Sequence, residues 1–152
     1  MNKNWILLIA VFQTFAQTHF RNLSNEKWVF SNAKETQKYK TKIPSTIHSD
    51  LFKNKLIENP FFGNNEKKLQ WIENETWVYE CDFFISKQEF QNQNINLNFE
   101  GLDTYATIYL NEKKIAQTQN MFRTWNFSIK KSIKTGKNHL KIIFEPAVTY
   151  GK

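Results

Sequence analysis

Apolar and polar side chains alternate along most of this chain with a period of two, the spacing of strands that bury one face. Trp77, Tyr79, Cys81, Phe83 and Ile85 alternate with Val78, Glu80, Asp82 and Phe84, which predicts a strand over WVYECDFFI with the thiol on its more apolar face. Leu97 and Phe99 close a run that begins at Ile95; Gly101 interrupts it, and Ala106, Ile108 and Leu110 resume it, so two strands meet at a Gly-containing corner. Trp125, Phe127 and Ile129 begin another strand, and Leu140, Ile142 and Phe144 form a last one, which Pro146 stops because it cannot donate to a ladder. Turns are predicted at 111–114 and 135–138, and Trp28, Val29 and Phe30 make a short first strand followed by a Lys-rich polar segment.

One segment breaks the period. Ile43 is extended because Pro44 disfavours helix in the residue before it. Ser45 then caps a short helix in which Ile47, Leu51 and Leu56 share a face, with Asp50 exposed near its start. His48 has no His, Cys or carboxylate at a metal-ligand spacing and reads as a surface or packed histidine rather than a ligand. Residues 88–94 are a polar break. The sum is an all-β sandwich with one short helix.

The least regular stretch is 58–65, where Pro60 and Gly63 bracket Phe61 and Phe62. Two readings stand. Paired loop aromatics commonly anchor a loop, here by plugging the end of the sandwich. Aromatic rings beside amide side chains also suit a sugar-contacting loop, with Asn59, Phe61, Phe62 and Trp71 as the candidates.

Residues 1–16 hold one positive residue, Lys3, an apolar run from Trp5 to Phe12, and then Thr14-Phe15-Ala16, the pattern of a secretory signal peptide. The run is too short to span a bilayer. The expected organisation is a leader at 1–16 and one sandwich domain at 17–152, exported to the periplasm or the extracellular medium and not membrane-bound after cleavage. Cys81 is the only cysteine, so the exported chain relies on packing rather than an intramolecular disulfide.

The formal charge is +7. Arginine occurs only at Arg21 and Arg123 and lysine is scattered rather than striped, which argues against a nucleic-acid partner. Lysine on the outer faces of strands instead blunts edge pairing.

Catalytic machinery is not expected here. Glu80 and Asp82 lie two apart on the polar face of one strand, where a solvated surface would not split their pKa values as an acid and nucleophile require. Glu100 and Asp103 flank Gly101, where bonding to corner backbone groups is expected. The chain has no G-x-S-x-G elbow, P-loop, zinc spacing or dinucleotide fingerprint, so no metal or cofactor is expected.

The segments IPSTIHSDLFKNKLIENPFFGNNE, WIENETWVYECDFFI, FEGLDTYATIYLN, NMFRTWNFSI and LKIIFEP, in this order, resemble the N-terminal domain of the β-mannosidases of glycoside hydrolase family 2. Ser45 stands where a Gly is common in that family, and Glu112 follows Asn111 where an Asn-Gly turn is usual. The resemblance implies a galactose-binding-domain-like jelly roll, the first domain of an enzyme that removes terminal non-reducing β-D-mannose with retention. Two glutamates of a later (β/α)₈ barrel do that chemistry in the family. The sequence stops at Lys152, before that barrel and before the family's Trp-Asp-Trp pocket segment. The resemblance therefore implies a fragment, non-catalytic and lacking its last strands, whose parent meets β-mannoside glycans through a domain not included. A stand-alone carbohydrate-binding module and a scaffold docking on a separate partner are the other readings.

Overall fold

A computed structural model describes residues 19–147, so the leader assigned to 1–16 lies outside the described residues. Eight strands follow in order: β1 (Trp28–Asn32), β2 (Tyr39–Thr41), β3 (Trp77–Ile85), β4 (Asn96–Phe99), β5 (Tyr105–Leu110), β6 (Lys113–Thr118), β7 (Trp125–Ser128) and β8 (Gly136–Glu145). Six form one antiparallel sheet in the order β2-β1-β3-β8-β5-β6, and β4 pairs with β7 in a second sheet of two strands. The period of two that predicts β3 is its burial pattern: Trp77, Tyr79, Cys81, Phe83 and Ile85 are all buried. They join Ala106, Ile108 and Leu110 of β5, Leu140 and Ile142 of β8 and Leu97 of β4 in one core. This is an all-β sandwich of a six-stranded and a two-stranded antiparallel sheet.

The Gly101 corner passes the chain from the small sheet to the large one. A Cβ on Gly101 would lie 3.1 Å from the Met121 carbonyl oxygen, so a side chain there would have to push that backbone back by a few tenths of an ångström. Asp103 does not bond the corner backbone as expected; it accepts from the hydroxyl of Thr104, and the side chain of Glu100 has no partner among the described residues. At the β5–β6 turn Asn111 and Glu112 both have positive φ, +50° and +69°, the mirror-image geometry that matches the twist of a tight hairpin.

Three short helices replace the single one expected: α1 (Ile47–Lys53), α2 (Asn65–Lys68) and α3 (Lys87–Gln91). The cap of α1 is Thr46 rather than Ser45: its hydroxyl accepts from the Ser49 N–H, and the Ser49 hydroxyl accepts from the Thr46 N–H. The helix ends at Lys53 with Asn54 as its C-cap, and Lys55 beyond it turns the chain at φ +60°, so Leu56 lies past the helix rather than on its face. Helix α3 occupies the expected polar break, and the same reciprocal cap, Ser86 with Glu89, starts it. It buries no residue, so hydrophobic periodicity could not report it. The Lys-rich segment likewise contains β2, whose pattern is short and only half-buried.

Candidate functional site

The candidate loop hangs from α1, and α1 hangs from Asp50. Expected in solvent, this carboxylate is 1% exposed. Thr41 donates to it at 2.7 Å from β2, Ser45 at 2.7 Å from the turn, and Tyr79 at 2.9 Å from β3. Burial, followed by the Asp50 charge and hydrogen bond, pushes the Tyr79 phenol well above its usual range, which keeps it a donor. A legible signal was present: Ile47, Asp50 and Leu51 stand at i, i+3 and i+4, one helical face. At the other end of α1 the Asn54 amide donates to Lys40 and Asp50 carbonyls, at 3.0 and 2.8 Å.

From this anchor the chain runs out through Asn59 to Gly63 and returns along α2. Asn59 turns its side-chain oxygen inward to accept the Phe61 N–H at 3.0 Å, and its carbonyl accepts both the Phe62 N–H and the amide of Asn65. Asn65 is buried, and Gly63 supplies φ +58°. The loop is therefore held by its own hydrogen bonds, and the phenylalanines do not plug the sandwich: Phe61 is 96% exposed and Phe62 76%. The aromatics are presented, not used as anchors.

Trp71 follows in a 3₁₀ turn, Gln70–Asn74, and is 44% exposed. Its ring rests 6.2 Å from that of Trp77, whose indole N–H donates to the Ile72 carbonyl at 3.0 Å. Trp71 lines a groove of about 220 Å³ with Leu56, Ile57, Glu58, Asn65, Lys68 and Leu69. The structure thus divides the four candidates. Trp71 belongs to the groove, Asn59 is committed to the loop backbone, and Phe61 and Phe62 stand on the neighbouring turn outside the groove lining.

A second cluster covers the outer face of β3 and β8. His139 stands 2.8 Å from Asp82 through Nδ1 and 3.3 Å from Glu80 through Nε2, Lys137 pairs with Asp82 at 2.9 Å, and Lys38 pairs with Glu80. The open solvated surface expected for both carboxylates holds at Asp82, which is exposed, and fails at Glu80, which is 9% exposed. Burial alone would raise the Glu80 carboxyl, but Lys38 and then His139 outweigh it and hold it below its usual range. The Lys137 contact, then His139, does the same for Asp82. Both carboxylates stay ionised, so neither is poised to give a proton to a leaving group. Beside them a wider groove of about 460 Å³ is lined by Asp82, Asn111, Glu112, Lys134, Lys137 and His139, with Asn138 at its floor.

Cys81 is buried among the strand's aromatics as expected. Burial first, then the charges of Glu26 and Asp82, push its thiol up to about 12, which removes it as a nucleophile.

Residues 28–152 match the family described as glycosyl hydrolase 2 galactose-binding domain-like. The chain is 30% identical to the β-mannosidase of Mus musculus over 100% of its own length and 17% of that protein. It superposes on the solved β-D-mannosidase of Dictyoglomus thermophilum with a TM-score of 0.80 at 40% identity, covering 82% of this chain and 15% of that one. The exo-chitosanase of Amycolatopsis orientalis shares the fold alone, with a TM-score of 0.70 at 17% identity over 80% of this chain and 16% of that one. The chain spans about a sixth of the length of the curated relatives it matches.

Proposed function

The chain belongs to the glycosyl hydrolase 2 galactose-binding-domain-like family, and on that premise we propose that it is the N-terminal sandwich of a β-mannosidase, which removes terminal β-D-mannose from glycans. One observation carries the reading: 40% identity at a TM-score of 0.80 to a β-D-mannosidase, against 17% to an exo-chitosanase on the same fold. Within such an enzyme this sandwich supports the sugar pocket and supplies no catalytic acid. The ionised state of Glu80 and Asp82 supports that division of labour, because glycoside hydrolysis needs one carboxyl held protonated beside one held ionised. The leader pattern at 1–16 supports export of the product.

The test is exchange. The corresponding domain of the Dictyoglomus thermophilum enzyme is replaced by residues 17–152, and hydrolysis of para-nitrophenyl β-D-mannoside is followed for the chimera and for the free chain. The chimera is expected to be active and the free chain inert. A folded chimera that cleaves β-glucuronides or β-glucosaminides in preference to mannosides overturns the substrate. Hydrolysis by the free chain overturns the non-catalytic role.

A further inference from the structure

The groove beside Trp71 holds more than a gap in packing. Its indole is 44% exposed and lines the groove, and an accessible indole ring takes up the apolar C–H face of a pyranose. Two other lining side chains, Glu58 and Lys68, have no hydrogen-bond or ion-pair partner among the described residues. A carboxylate accepts from sugar hydroxyls and an ammonium donates to them, so one aromatic face and both kinds of polar partner converge on one cleft. The loop that walls it is fixed in advance by the Asn59–Asn65 bonds, which lowers the ordering cost of binding. Phe61 and Phe62, exposed on the adjoining turn, extend the apolar surface along which further units of a chain could lie.

We propose that the groove formed by Glu58, Lys68 and Trp71 binds a neutral hexopyranosyl unit of an oligosaccharide. One carboxylate and one ammonium leave the groove without net charge, which suits a neutral hexose better than a uronate or an aminosugar. The choice of mannose among neutral hexoses rests on the β-mannosidase reading above.

The test is calorimetric titration of the chain with β-mannohexaose, cellohexaose, oligogalacturonate and chitosan hexamer. Saturable binding of mannohexaose in the millimolar range is expected, with no saturation by the two charged oligomers. Trp71→Ala should weaken binding roughly tenfold or more, the size of loss a stacked ring gives. Glu58→Gln, a change at an exposed position, should weaken it several-fold, and Phe122→Ala, at an exposed aromatic that does not line the groove, should leave it unchanged. Absence of binding, or binding indifferent to both Trp71→Ala and Glu58→Gln, overturns the groove. Saturation by cellohexaose alone, lost in the same variants, upholds the groove as a hexose site and counts against mannose. Because the hydrolytic reading is judged on the chimera, an empty groove leaves it standing.

Discussion

The side-chain amide of Asn111 donates to the side-chain oxygen of Asn138 at 2.7 Å, tying the β5–β6 turn to the first residues of β8. Asn138 is buried and spends its whole bonding capacity: its amide donates to the Lys134 and Gly136 carbonyls, and its oxygen also accepts the Lys134 N–H. Asn111 in turn donates to the Ser132 carbonyl and accepts from the His139 N–H. Asn138→Ala leaves several of these groups buried without partners and is expected to lower unfolding free energy by about 3 kcal/mol. Urea denaturation followed by tryptophan fluorescence measures it; a change within error would show that water replaces the amide.

Asp50 is the second polar hub. Asp50→Ala removes the acceptor shared by Thr41, Ser45 and Tyr79, and a loss of about 3 kcal/mol is expected because three hydroxyls then face a protein interior. Limited proteolysis of the same variant should cut between residues 54 and 71 sooner than in the wild type, since α1 is what moors that loop.

Glu112 sits at φ +69° with a Cβ that this region disfavours. Glu112→Gly should therefore raise stability by about 1 kcal/mol, net of the extra freedom glycine gains in the unfolded chain. A higher thermal midpoint checks it, and an unchanged or lower one would mean that the Glu112 side chain has a compensating role on the rim of the wider groove.

The Glu80 and Asp82 carboxyls lie below their ordinary values of 4.5 and 3.8. A carboxyl lowered on folding adds stability above its unfolded pKa, and that stability is lost as pH falls through the folded one. The thermal midpoint of the wild type should thus fall on acidification from about pH 5 to about pH 3, and Glu80→Gln should fall less steeply. Parallel curves would assign the acid sensitivity to other groups.

The strands with one wet face could be read from the chain because burial imprints a period of two: β7 and most of β8 carry it, and β3 and β5 carry it with breaks at Glu80 and Thr107, polar residues that are also buried. What escaped were elements whose residues do not alternate by polarity. Helix α3 is held by its cap, β2 by ladder bonds to β1, and Asp50 is polar on an apolar face because its partners come from positions 41, 45 and 79. No local pattern links those positions. The candidate loop shows the same limit. Phe61 and Phe62 were legible as a pair, but their exposure depends on the Asn65 side chain reaching back to Asn59, and Glu58 and Lys68 become a site only when Trp71 is folded beside them.

The last strand among the described residues, β8, lies between β3 and β5 at the centre of the large sheet. Without it, β2-β1-β3 and β5-β6 are two separate ribbons with no shared hydrogen bonds. During synthesis, then, the sheet cannot close until residue 145 has left the ribosome, however early β1 and β3 have met. Until then the nascent protein carries two unsatisfied strand edges, on β3 and on β5, and it is in that interval, rather than after folding, that chaperones would find it.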